Sequence, residues 1–144
     1  MRTDSPKAAL VRRRFPRRPE EVAAARRFVR GGLARGSEAW ETAQLLVSET
    51  VTSSLDQSLP NRGSGTLEVG YAVVGHRLRV EVSDDGGPAR LRRRIHDTSP
   101  AKGHGLELVQ ALASRWGVRE SSAGRTIWFE VDLTGRDGRA RKTS

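Results

Sequence analysis

Thr66-Leu67-Glu68-Val69-Gly70-Tyr71-Ala72-Val73-Val74-Gly75-His76-Arg77-Leu78-Arg79-Val80-Glu81-Val82 is the stretch that decides the fold. Leu67, Val69, Tyr71 and Val73 alternate with Thr66, Glu68, Gly70 and Ala72. After Gly75-His76, Leu78, Val80 and Val82 alternate with Arg77, Arg79 and Glu81. A period of two turns one face of each strand to a core and leaves the other able to meet water. Gly75 and His76 suit a tight two-residue turn, so the stretch reads as an antiparallel hairpin.

Downstream, residues 84 to about 103 are rich in Gly, Pro, Asp and Arg and read as a long irregular loop, of the length that is usually functional or disordered. Leu106, Val109, Leu112 and Trp116 then recur at helical spacing, with Gly117 suited to closing the helix in the left-handed conformation. Val118 begins a further strand, Ser121 to Gly124 turn, and Ile127, Phe129, Val131 and Leu133 alternate through a last one. Upstream, Trp40, Ala43, Val47 and Val51 line a helix with Ser37 as its N-cap, and Pro60 lies beyond its end. Val22, Ala25, Val29 and Leu33 line an earlier helix opened by Pro19, Glu20 and Glu21, with Gly31 and Gly32 weakening its last turn. Residues 10–15 read as an edge strand, given their arginines. This order predicts an α+β fold: a two-layer α/β sandwich with a mixed, mostly antiparallel sheet and helices on one face. Residues 10–133 form one domain, with polar tails at 1–9 and 134–144.

The 144 residues are enough for a core without staples, and the absence of cysteine excludes disulfides and thiolate metal sites. Three scattered histidines make a zinc site a poor expectation. No apolar run is long enough to span a bilayer or serve as a signal core, so no membrane contact and a cytoplasmic location are expected. The formal net charge of +9, mostly arginine, favours an anionic partner without choosing one. The runs Arg12-Arg13-Arg14, Arg17-Arg18 and Arg92-Arg93-Arg94 read first as solvated faces. Direct nucleic-acid binding ranks below that reading, since no DNA-binding motif or set of stacking aromatics accompanies them.

Three pieces carry candidate chemistry. Glu49 and Ser53, four residues apart, lie on one face of the second helix, opposite the Val47/Val51 stripe. Leu45 and Leu46 make that helix apolar nearly all round, so Glu49 is expected to line a cleft. Parity with Leu78, Val80 and Val82 turns Asp84 to the core side, where its carboxylate can accept a hydrogen bond from a base's exocyclic amine. Gly86 and Gly87 let a ligand approach the backbone closely. Lys102-Gly103-His104-Gly105-Leu106 opens the third helix, whose free N–H groups and positive end suit phosphate. Each has a plain structural explanation alone, and together they are the parts of a nucleotide pocket. Neither a P-loop nor a G-x-G-x-x-G fingerprint is present.

Here the chain resembles the GHKL, or Bergerat-fold, ATPases, and among them the stand-alone anti-sigma-factor serine kinases. The residues that carry the likeness are Leu45 to Thr52, Val82 to Gly86, Gly103 to Val109 and Gly124 to Glu130, in family order. Phe15 and the helix through Ala23 to Val29 fit as well. The resemblance implies ATP and Mg²⁺ as cofactors, Glu49 as the base that activates a hydroxyl, and Asp84 as the reader of the adenine amino group. It implies Gly86 packing under the base, Gly103, His104, Gly105 and Leu106 at the phosphates, Thr126 near the adenine, and residues 88–102 as a lid. A sigma factor or an anti-sigma-factor antagonist is the implied partner, and a homodimer the implied assembly. Two positions depart from the pattern: Ser53 replaces the asparagine that holds magnesium, and Pro88 replaces a glycine. A hydroxyl is a shorter and poorer ligand for an ion that demands octahedral geometry. A non-catalytic protein-binding module is therefore the alternative. Thr126 also has the opposite parity from Ile127 and Phe129, so it faces away from the core unless a bulge re-aims it.

Overall fold

The computed structural model describes residues 10–32, 38–56, 65–84, 106–121 and 124–133. Strand β1 (Val11–Pro16) leads to helices α1 (Glu21–Arg30) and α2 (Glu38–Asp56). Strands β2 (Thr66–Val74) and β3 (Arg77–Asp84) follow, then helix α3 (Leu106–Leu112) and strands β4 (Arg115–Ser121) and β5 (Gly124–Asp132). The five strands form one sheet in the order β1-β2-β3-β5-β4, and every described pairing is antiparallel, where a mixed sheet was expected.

The hairpin forms where alternation placed it. Val74 pairs with Arg77, and Gly75 and His76 make the turn. Gly75 has φ +64, the left-handed backbone that glycine adopts without a Cβ penalty. The Leu133 N–H donates to the His76 carbonyl at 2.7 Å, which ties the turn to the end of β5.

Register sorts the side chains into two faces. Leu67, Val69, Leu78, Val80, Val82, Ile127, Phe129 and Val131 share one face, and α1, α2 and α3 pack over it through Ala25, Val29, Ala43, Leu46, Val47, Val51, Leu106 and Val109. Phe15 joins this core from the edge strand, in an edge-on contact with Phe28. Val73, counted with the core row, is exposed at the hairpin's tip, beyond the helical layer.

Alternation leaves the opposite face able to meet water, and over the middle of β3 and β5 it is covered instead. Arg79 is 1% exposed, and Glu81 and Glu130 are also buried. The Arg79 Nε–H donates to Glu81 Oε2 at 3.0 Å, Nη1 donates to Glu130 Oε2 at 3.1 Å, and the guanidinium lies 4.1 Å from the centre of the Trp128 ring. Long side chains on adjacent strands thus cover one another, their charges paired as burial demands.

The third helix is shorter than its periodicity suggested. It ends at Leu112, and Trp116 and Gly117 belong to β4, which begins at Arg115 rather than Val118. Trp116 pairs with Phe129 and Gly117 with Trp128, so ladder pairing overrode the helical spacing. Gly117 is not in the left-handed conformation. Its glycine has a different cause: a Cβ there would sit 2.7 Å from Trp128 Nε1 and 2.9 Å from two further ring atoms. Gly117→Ala is therefore expected to push Trp128 off Arg79 and destabilise the domain by about 1–3 kcal/mol. Denaturant unfolding checks this, and unchanged stability would show that the ring has room to move.

Candidate functional site

Helix α2 carries the first part of the site. Val47 and Val51 are fully buried, as are Ala43, Leu46 and Thr50, so the buried stripe is wider than predicted. The Thr50 hydroxyl donates back to the Leu46 carbonyl at 2.8 Å, which satisfies it inside the core. Leu45 is 40% exposed, so the apolar surface of the helix at that level is not buried all round. Glu49 is half-buried at the margin of the stripe. Ser48, about 100° round the axis from it, faces α1 and accepts a hydrogen bond from Arg26 Nη1 at 3.1 Å. Glu49 and Ser53 thus share the flank turned away from α1.

Ser53 is 1% exposed, and its Oγ has no hydrogen-bond partner among the described residues. A buried hydroxyl in that state loses its water without compensation, so such groups mark places where something polar is due to sit. One turn from a carboxylate, this oxygen fits the hydrated, hard-oxygen environment that Mg²⁺ takes beside a nucleotide. No cluster of three or more metal-ligating side chains exists among the described residues. Magnesium sites built around substrate phosphates do not need one.

Asp84 lies at the end of the core-facing row of β3, as parity required, and is buried. Its neighbours are the finding. Arg17, one residue past β1, sends its guanidinium under the sheet's end and is 1% exposed. Nη1 donates to Asp84 Oδ1 and Nη2 to Asp84 Oδ2 at 3.3 Å, while Nη2 also reaches the Ser54 carbonyl at 3.3 Å. Ser54 is in the last turn of α2, where carbonyls lack helical partners and a cation is favoured. One arginine thus binds the rim of the sheet to the end of α2, beside Ser53.

Arg17 belongs to a run expected to be a solvated face, and the structure buries it instead. The run does not behave as a unit. Arg12 and Arg14 face outward beside Glu68, whereas Arg17 turns inward. The signal was legible: Arg17 is two residues after Phe15, and Phe15, Leu67 and Asp84 form one row across the sheet.

Thr126 pairs with Ser83, and their hydroxyls are 2.9 Å apart on the face away from the helices. No bulge re-aims it, so the structure does not bring Thr126 together with Asp84. The residue paired with Asp84 on the helix side is Arg125, also buried. Leu106 opens α3 and is fully buried in the core, and α3 packs against α2. Gly86, Lys102, Gly103, His104 and Gly105, with the expected lid over 88–102, lie outside the described residues. So do Leu33, Ser37 and Pro60.

Comparison with known proteins matches this arrangement. Residues 15–131 fit the model of the histidine kinase-like ATPase domain. Over 112 residues the chain is 30% identical to "Serine-protein kinase RsbW" of Listeria monocytogenes serotype 4a, covering 68% of this chain and 71% of that one. It is also 30% identical over 98 residues to "Blue-light-activated histidine kinase 2" of Erythrobacter litoralis, covering 62% of this chain and 27% of that one. Among solved structures, the RsbU and RsbW domains of a Mycobacterium tuberculosis protein superpose with a TM-score of 0.64 at 18% identity. That likeness covers 88% of this chain and 33% of the other, and it speaks for the fold alone. The sheet order, the helical layer and the family match together place this chain in the histidine kinase-like ATPase domain family.

Proposed function

We propose that this chain is an ATP-binding regulator of the anti-sigma-factor serine kinase type, which phosphorylates a serine on a small anti-sigma-factor antagonist. One observation carries the reading: Glu49 and the Ser53 hydroxyl, buried without a partner among the described residues, share a flank of α2, on the helix whose last turn Arg17 joins to Asp84. The 30% identity to a serine-protein kinase supports the same class.

When bound, ATP with Mg²⁺ would supply the transferable phosphoryl group and offset its charge. Asp84 would accept a hydrogen bond from the base where Arg17 gives way, and Ser53 would help to hold the metal. Glu49, half-buried and on the same flank, would take the proton from the acceptor serine's hydroxyl. Lys102 and the turn Gly103-His104-Gly105 would meet the phosphates, with Gly86 under the base. The partners under this reading are proteins, a sigma factor and its antagonist, and the assembly is a homodimer in the cytoplasm. No helix among the described residues is long and apolar enough to cross a membrane.

Titration with ATP, with and without Mg²⁺, followed by radiolabel transfer to candidate antagonists, tests the proposal. Absence of nucleotide binding at millimolar ATP would overturn it. A second reading, a protein-binding module without catalysis, is favoured by Ser53 at the magnesium position. Ser53→Asn is expected to strengthen Mg²⁺-dependent ATP binding by roughly tenfold, since the amide oxygen reaches further toward the ion. Equal affinities in wild type and variant would clear Ser53 of weakening the site.

A further inference from the structure

We propose that Arg17 is a built-in competitor for the nucleotide base, seated on Asp84 where a base's exocyclic amine would bind, and that it sets the chain's affinity and base preference. The inference rests on the nucleotide reading above and adds a residue to it.

Asp84 presents two carboxylate oxygens at the end of the core-facing row, and Arg17 takes both. The guanidinium N–H groups are chemically what an amino-substituted base would offer: planar donors aimed at a carboxylate. They hold the stronger position, because the guanidinium adds a second parallel bond and a full positive charge to the single bond that a neutral amine offers the same carboxylate. The pair is buried on both sides, so water does not loosen it. Arg17 is held from a second direction by the Ser54 carbonyl, and its backbone lies in a tight turn in which the Arg18 N–H donates to the Pro16 carbonyl at 2.9 Å.

Two consequences separate this from a merely structural ion pair. A bound base gains little from carrying an amine while Arg17 stays in place. Removing the guanidinium opens the carboxylate oxygens that Arg17 holds and restores a preference for amino-substituted bases.

The test uses ATP and purine riboside triphosphate, which lacks the 6-amino group, both with Mg²⁺. For the wild-type chain the two affinities are expected within about twofold of each other. Arg17→Met keeps the apolar stem and removes the donors. It is expected to bind ATP about tenfold tighter than wild type and to favour ATP over the analogue by about tenfold. That preference is expected to vanish in the Arg17→Met/Asp84→Ala double variant, which has no acceptor left for the amine. The proposal is overturned if wild type already favours ATP tenfold, a result that needs no variant to fold. It is overturned equally if Arg17→Met binds both triphosphates as wild type does, which leaves the nucleotide reading standing. If neither protein binds either triphosphate, the nucleotide reading itself fails and this inference goes with it.

Discussion

Arg79→Ala is expected to lower the melting temperature by roughly 10 °C, the largest stability effect anticipated for a single change on the open face of the sheet. The guanidinium is buried against the Trp128 ring and bonded to Glu81 and Glu130. Breaking a buried ion pair from one side costs about 3–5 kcal/mol, because the partner charge stays behind. Here the loss falls at the lower end of that range. Glu81 keeps Arg119 at 3.5 Å, and Glu130 keeps Arg77 at 3.5 Å and Arg115 at 3.4 Å. A cost of about 3 kcal/mol in a domain of this size shifts the transition by several degrees per kcal/mol. Against a total stability of about 5–15 kcal/mol, that is a large fraction. Arg79→Met should lose about half as much, since its stem still covers Trp128. Calorimetry or thermal circular dichroism on the three proteins decides the matter. A melting temperature within 2–3 °C of wild type for Arg79→Ala would mean the network is solvated rather than closed.

Under the proposed kinase reading, Glu49→Gln should reduce phosphoryl transfer by about 10²–10⁴-fold while leaving ATP affinity within about threefold. The substitution keeps the size of the side chain and removes only its capacity to take a proton. Glu49 is half-buried at the margin of α2's core stripe, so glutamine fits without disturbing Leu46 or Thr50. A general base contributes to the chemical step and little to ground-state binding, so the effect should appear in the transfer rate and not in the titration. Single-turnover transfer under saturating ATP and Mg²⁺ makes the comparison. A rate within tenfold of wild type would remove Glu49 from the base's role, and a matching loss of affinity would make it a binding group instead.

Much of the architecture was legible from alternation. The hairpin at Gly75-His76, the core rows of β2, β3 and β5, and the inward turn of Asp84 all follow from a period of two, which admits only two faces. The same parity argument holds for Thr126, which faces away from the helices, and it could have been applied to Arg17, two residues past Phe15. What misled there was composition: an arginine beside other arginines reads as surface. Helical spacing misled at Trp116, where Leu106, Val109, Leu112 and Trp116 satisfy a helix period by chance. Pairing of Trp116 with Phe129 and of Gly117 with Trp128 outweighed it.

The sequence by itself determined the α+β class, the strand faces, the helix that carries Glu49 and Ser53, and the family resemblance. These rest on local periodicity and short motifs, which are properties of neighbouring residues. Only the tertiary structure decided that Arg17 is seated on Asp84, that Arg79 is closed in beneath Trp128, and that Ser53 is a buried hydroxyl without a partner among the described residues. Arg17 and Asp84 are 67 positions apart, and their meeting depends on where β1 and β3 end relative to the last turn of α2. Burial then makes the meeting matter, because a charge removed from water must take whatever partner the fold brings to it.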